Sequence, residues 1–525
     1  MGESSYSRAT SYILLLILLV YLALATIFAV KTPPWQNPDE PAHYNYIADL
    51  ASDRRLPLLE MGDYDGAYLE RLKAERFPPG LSIEPVRYES HQPPLYYVLS
   101  APVYWVSGGS LLALRLFGVV LGAGVVTIVF LCARVVLPES PHIGLGAAAF
   151  AAFLPMHIAL MASVNNDALA ELVIAGAILA LLRWQKAANF GGEGEESRAK
   201  SYRLLLATGT LIGAGFLTKA TAYTLLPVAL FVVIGKGYWL RRGRELSMKG
   251  LLAQVALLAA PALAIGLPWW IRNMRAYGAW DLLGLAWHDL VVTGQPTAKV
   301  WIAENGWSAY WERAWTFTSK SFWGVFGWLG VFMDARIYTA LQVLSVMAVV
   351  GVVLWCWRCK SRGRVQRTDL FSTPWAPLIL LWLGTFAAYA WYNLGFLQHQ
   401  GRYLFPALPA WSLFFALGWW SVLGRRGSVV AGGVLLALAA ARLLTGIASG
   451  DFDSWAMLLY CAAGIGLLMH GLLLTRFTKL LAERYGVRWA LPELLRPVLF
   501  VGMFAAMVGL DIAIPFLYIV PQLEA

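Results

Sequence analysis

Residues 11–30, SYILLLILLVYLALATIFAV, carry no charged side chain. A helix needs about 20 apolar residues to cross the hydrocarbon core, and this run has that length. Its apolar core is longer than the roughly 7 to 15 residues usual for a signal peptide. The following Lys31-Thr32-Pro33-Pro34 makes a poor small-residue cleavage site, so the run reads as an anchored first helix. Working outward, further runs of this kind fall near 113–137, 142–163, 167–186, 203–218, 220–236 and 249–270. Others follow near 336–357, 374–394, 402–423, 428–447, 455–475 and 494–518, giving about thirteen helices. Composition agrees: of 525 residues 59% are hydrophobic and 14% charged, against about 25% charged in soluble domains. The expected fold is an all-α polytopic integral membrane protein, one transmembrane domain over residues 1–525.

The net charge of +10 would suggest nucleic acid in a soluble protein. Here the basic residues sit in short loops between apolar runs and read as orientation signals, so no nucleic-acid partner is expected. With the N-terminus cytoplasmic, Lys186, Arg241, Arg242, Arg244, Arg358, Lys360, Arg362, Arg364, Arg367, Arg425, Arg426, Arg484 and Arg488 lie inside. The short outer connections keep little beyond Lys219 and Arg402, the asymmetry the positive-inside rule requires. The expected location is the cytoplasmic membrane, multi-pass, with two long segments outside, 31–112 and 272–335. In the first, Leu95–Val106 is too short to span and reads as an interfacial helix. In the second, Trp307, Trp311 and Trp315 recur every four residues and share a helical face at headgroup level. Phe190 to Arg203 reads as a cytoplasmic linker. None of the four cysteines falls in a long outer segment, so no disulfide framework is implied. Cys356 and Cys359 form a CxxC with no second ligand pair, which does not make a zinc site.

Asn37-Pro38-Asp39-Glu40 follows the first span at once, stiffened by Pro38 and Pro41. Asp39 and Glu40 beside His43 could serve as a general base or bind a divalent cation, His91 included, which leaves metal dependence open. The plain alternative is a helix cap. Asn166 and Asp167 open a later span, where capping also accounts for them. It does not account for Glu171 one turn on, an acidic residue inside a span. His91-Gln92-Pro93-Pro94-Leu95-Tyr96-Tyr97 reads either as a polar lip over a lipid headgroup or as proline-initiated helix with belt tyrosines. Lys219, and Arg402 with Tyr403, His399 and Gln400 around it, could grip phosphate, or snorkel to headgroups. Arg272 and Arg275 flank a span, and Arg442 inside a late span needs a partner.

The order of these motifs, an outer Asp-Glu pair, Pro-Pro-Leu-Tyr-Tyr, an acidic residue opening the fourth span, Leu-Thr-Lys, Pro-Trp-Trp-Ile-Arg-Asn and a late Arg-Tyr-x-x-Pro, resembles membrane glycosyltransferases of the C type. The nearest group is that of protein mannosyltransferases and lipid A aminoarabinose transferases with their bacterial membrane-protein relatives. The resemblance runs from Ser11 to about Leu423. It implies a polyprenyl-phosphate-linked hexose or pentose as donor, membrane lipids around it, and a protein, lipid or glycan hydroxyl as acceptor. Transfer would invert the anomeric centre at the outer face. Residue by residue it implies Asp39 as base with Glu40 beside it, and Asp167 as the second acidic residue. Arg402, with Lys219 and Tyr403, would take the donor phosphate. His43, His91, Gln92, Tyr96 and Asn166 would contact substrate. Two positions depart from the aminoarabinose transferase pattern: Gln92 stands where a phosphate-binding Lys is expected, and Ala42 replaces a basic residue. No cofactor beyond a divalent cation is implied. The rival classes are a membrane transporter, suggested by Glu171 and Arg442, and a lipid-linked glycan polymerase or ligase.

Overall fold

The structure, a computed structural model, describes residues 2–187, 195–242, 246–361, 373–450, 452–485 and 491–524. The expectations placed on Phe190, Arg244, Arg362, Arg364, Arg367 and Arg488 lie outside the described residues. Helix α1 (Gly2–Lys31) leads into a segment holding α2 (Glu40–Asp53), α3 (Gly66–Ala74) and α4 (Leu95–Ser107). A bundle follows: α5 (Leu111–Val136), α6 (Pro141–Ala152), α7 (Pro155–Met161), α8 (Asp167–Ala187), α9 (Glu195–Phe216), α10 (Leu225–Arg242) and α11 (Met248–Tyr277). A second intervening segment carries α12 (Leu285–Val291), α13 (Ala298–Trp323) and a hairpin of β1 (Val325–Phe326) and β2 (Val331–Phe332). The chain ends in α14 (Ala335–Ser361), α15 (Ala376–Gly395), α16 (Leu408–Val422), α17 (Arg425–Ser449), α18 (Ser454–Tyr485), α19 (Leu491–Ile514) and α20 (Val520–Leu523).

The protein is nearly all helix. Among the described residues nine helices are long and apolar enough to cross a membrane, or ten if the bent pair α6–α7 is one span. Expected spans and helices part at definite places. The run 142–163 breaks because Pro155 holds Leu154 extended, and the two helices meet at a 61° bend. The run 402–423 is a 3-10 turn, Gly401–Ala407, followed by the shorter α16. Residues 195–203, expected as linker, form the charged first turns of α9. The antiparallel β1–β2 pair, of two residues a strand, is a small exception to the all-α expectation. Trp307, Trp311 and Trp315 do share an exposed face of α13, with the first two rings stacked. Arg442 finds its partners in the Gln342 side chain and the Tyr460 ring. Arg272 ties the end of α11 to the Pro57 carbonyl and stacks on Trp269 and Tyr277.

Helices α6, α7, α8 and α16 form the interior, with α1, α5 and α14 packed around them. Between membrane helices, close approach replaces the hydrophobic drive. At the crossing of α14 and α16 a Cβ on Gly351 would lie 1.9 Å from the Gly418 carbonyl oxygen, and one on Gly418 would lie 2.2 Å from that of Ala348. Gly351→Ala is therefore expected to force the helices apart, at about 1–3 kcal/mol, and to lower the melting temperature in detergent. An unchanged midpoint would mean that this crossing has slack.

Cation-bearing helix ends lie a helix length from the segments described next. Helix α8 runs from Asp167 to Lys186 in its last turn, α10 ends on Arg241 and Arg242, and α14 on Arg358 and Lys360.

Candidate active site

Asp39 immediately precedes α2 but does not cap it: its backbone is left-handed, φ 67°, and its carboxylate makes no bond to the helix N-terminus. A non-glycine residue pays for that conformation only where its surroundings enforce it. The next residue, Glu40, is held on every side. Its carboxylate accepts from the backbone N–H of Trp35 and of Val164, both at 3.2 Å, and from the Asn37 amide at 3.3 Å. Arg115 of α5 holds both of its oxygens, at 2.8 and 2.6 Å. The same guanidinium donates to the carbonyl of Ala29, an orphan acceptor in the last turn of α1, and to those of Thr32 and Pro33 just beyond it. Glu40 is thus wholly buried and faces away from the neighbouring cavity.

Asp39 faces that cavity. Its Oδ1 accepts from the Tyr88 hydroxyl at 2.9 Å, and its Oδ2 lies 3.1 Å from Arg402 Nη2. The Arg402 Nε donates to Gln400 at 2.7 Å, and the guanidinium lies over the Tyr403 ring. The turn that presents Arg402 is pressed against α13: the Ser321 hydroxyl oxygen accepts from Gly401 N–H at 2.7 Å, and a Cβ on Gly401 would stand 2.2 Å from the Phe322 nitrogen. Only glycine permits that approach.

The cavity holds about 610 Å³, within the range usual for small-molecule sites. Among the residues expected to act, Asp39, His43, His91, Gln92, Lys219, Arg402 and Tyr403 line it. Asp167 does not line it but lies 2.6 Å from Lys219 Nζ, so the expected second acid and the expected second cation form one pair. Asn166 also stands behind the wall, donating to the Gln92 side chain at 3.2 Å and the Thr218 carbonyl at 3.3 Å. Tyr96 does not face the cavity. It is buried against Tyr97 and Phe117, because α4 turns it to the core. Nor do Asp39, Glu40 and His91 converge on a cation, since Arg115 claims Glu40. Among the described residues no group of three or more His, Cys, Asp or Glu side chains is placed to hold a metal ion.

Burial alone would raise the Asp39 pKa. The Arg402 charge, then His43 and the Tyr88 hydrogen bond, outweigh it and hold the carboxyl below its usual range. Burial pushes His43 down against the pull of Glu89 and Asp39, and its Nδ1 shares a 2.8 Å hydrogen bond with the Tyr97 hydroxyl. His91 is pushed down to about 3 by burial and by His288, whose ring centre is 4.5 Å away. The cavity at neutral pH thus presents an ionised Asp39 beside a fixed guanidinium, with the neutral imidazoles of His43 and His91 near them. Such a pairing can accept a proton at one point and neutralise an anion at the next.

Three residues escaped the sequence reading. Arg115 sits inside the second apolar run, and a charge there demands a partner, which was the available signal. Tyr88 and Glu89 stand in a loop without periodicity, and nothing in the sequence marks them.

Residues 91–269 match the family model described as dolichyl-phosphate-mannose-protein mannosyltransferase. No curated protein sequence matches the chain. Among solved structures it is similar to ArnT from Cupriavidus metallidurans bound to undecaprenyl phosphate: 14% identity, TM-score 0.44, covering 97% of this chain and 78% of that one. It is also similar to the oligosaccharyltransferase of Archaeoglobus fulgidus, at 14% identity and TM-score 0.46, covering 86% of this chain and 53% of that one. The S. cerevisiae Pmt1-Pmt2 complex bound to the sugar donor gives 16% identity and TM-score 0.36, covering 50% of this chain and 34% of that one. In motif order and in the family matched, the chain resembles the C-type membrane glycosyltransferases, and within them the protein mannosyltransferase and lipid A aminoarabinose transferase group.

Proposed function

We propose that this protein transfers a sugar from a polyprenyl-phosphate carrier to an acceptor hydroxyl at the outer membrane face, inverting the anomeric carbon. The observation that carries the reading is the Asp39–Arg402 pair, 3.1 Å apart on the wall of one cavity. In the transfer, Asp39 takes the proton of the acceptor hydroxyl as its oxygen bonds to the anomeric carbon. The bond from that carbon to the phosphate oxygen breaks, and its electrons leave with the phosphate. Arg402, and Lys219 held by Asp167, offset the charge that develops there. Glu40 and Arg115 act through Asp39 by fixing its backbone. No further activation of the donor is needed, since the lipid monophosphate is itself the leaving group.

The outer placement is supported by the cationic ends of α8, α10 and α14, which lie away from the cavity and would face the cytoplasm. The two residues that suggested a transporter do not lie along the cavity: Glu171 is packed against His157, 3.3 Å away, and Arg442 reaches Gln342. In reconstituted vesicles the expected result is glycosylated acceptor without net movement of sugar across the bilayer. Flux without transfer would overturn the reading.

The pH dependence follows from Asp39. A base works when ionised, so its rate falls as pH drops through its pKa. With that pKa held low by Arg402, kcat/KM should stay level as pH falls to about 5, its acid limb lying below the ordinary carboxylate value of about 3.9. A limb near 6.5, the ordinary imidazole value, would assign the proton to a histidine instead.

A further inference from the structure

The cavity wall carries four carboxylates, on Asp39, Glu70, Glu89 and Asp289. Three have a partner of opposite or potentially opposite charge: Arg402 for Asp39, Lys73 for Glu70, and His288 for Asp289. Glu89 is in no ion pair among the described residues, and its Oε2 is closed off from solvent with no hydrogen-bond partner there. An enclosed carboxylate oxygen without a donor is unfavourable; the carboxylate as a whole is only half-buried at the cavity wall and has no cation beside it, so the donors it lacks are ones a ligand can bring to its open side. We infer that Glu89 is a substrate-binding carboxylate that accepts hydrogen bonds from hydroxyl groups of the transferred sugar. This rests on the function proposed above.

The surroundings fit that ligand. Glu89 follows Tyr88, whose hydroxyl holds Asp39, and its charge acts on His43, so it stands beside the proposed base. The aromatic rings of Tyr389, Tyr392 and Tyr403 line the same space, suited to the apolar faces of a pyranose. A phosphate group would be repelled by Glu89 and drawn to Arg402 and Lys219. A neutral polyol, which brings donors and no charge, is what an unpaired carboxylate can hold without a counterion. The division assigns the lipid phosphate to the cations and the sugar to Glu89.

The test is equilibrium binding to the full chain in nanodiscs, with no acceptor present. The probes are bare dolichyl phosphate and dolichyl phosphate carrying mannose, glucose or galactose. Wild-type protein should bind one glycosylated lipid more tightly than the bare lipid. Glu89→Ala should weaken that binding about tenfold to a hundredfold and leave the bare lipid unchanged, which also shows that the variant is folded. Glu89→Gln, which keeps an acceptor oxygen, should fall between. The inference is overturned if Glu89→Ala keeps the preference, if it weakens both lipids equally, or if wild type has no preference among them. Wild-type protein that binds neither lipid would instead refute the proposed function.

Discussion

Asp39→Asn should lower kcat by about 10²- to 10⁴-fold, the usual contribution of a positioned general base, while binding of the donor lipid stays intact. Asparagine matches aspartate in shape, so the bond from the Tyr88 hydroxyl to the atom at the Oδ1 position can persist. What disappears is the charge opposite Arg402 and the capacity to take a proton. Freed from its carboxylate, Arg402 has no less to offer a phosphate, and the dissociation constant for the donor should hold or fall. Arg402→Ala gives the contrasting result, with donor binding weakened about tenfold to a hundredfold, the worth of charge-assisted hydrogen bonds. Single-turnover kinetics on saturating donor separate the two effects. Full turnover by Asp39→Asn would remove the base from the mechanism and favour the polymerase or ligase class, which leans on outer arginines.

The membrane class was legible in the sequence because a span declares itself within about 20 consecutive residues, though of about thirteen runs expected nine or ten prove long and apolar enough to cross among the described residues. Local signals also governed some failures. Pro155 marks a helix boundary inside the apolar run 142–163, and the extended Leu154 is its consequence. The site was legible only as candidates. Asp39 and Glu40 are neighbours in sequence and both acidic, and nothing local says that one meets the cavity and the other the interior. That division is made by partners far along the chain, Arg402 at a separation of 363 residues and Arg115 at 75. Motif order carried Arg402, since the resemblance implies a role for it, and the structure places it on the cavity wall. It did not carry Arg115, Tyr88 or Glu89, whose significance exists only once the two intervening segments fold over the same cavity. Tyr96 failed for a related reason: a helix changes the direction of its side chains by about 100° per residue, so membership of a motif does not give the face.

Arg115→Ala should be strongly destabilising, because it strips several acceptors at once. The Glu40 carboxylate, with 0% of its side chain exposed, would lose the cation paired with it, and the carbonyls of Ala29, Thr32 and Pro33 would lose their donor. Removing one partner of a buried pair costs about 3–5 kcal/mol, chiefly through the charge left behind. Lysine should rescue little, since a single ammonium cannot reproduce a fork that serves a carboxylate and three carbonyls. Pairing Arg115→Ala with Glu40→Gln removes the stranded charge and should recover part of the loss in melting temperature. That recovery separates an electrostatic origin from simple loss of packing, which the second substitution would not repair. The same network anchors the residue next to Asp39, whose φ is 67°, so the double variant should regain stability without regaining kcat: an amide in place of the Glu40 carboxylate cannot accept every bond that anchors the turn. A midpoint unchanged by Arg115→Ala would show that the carboxylate finds other donors, and with it would go the claim that this pair sets the geometry of the base.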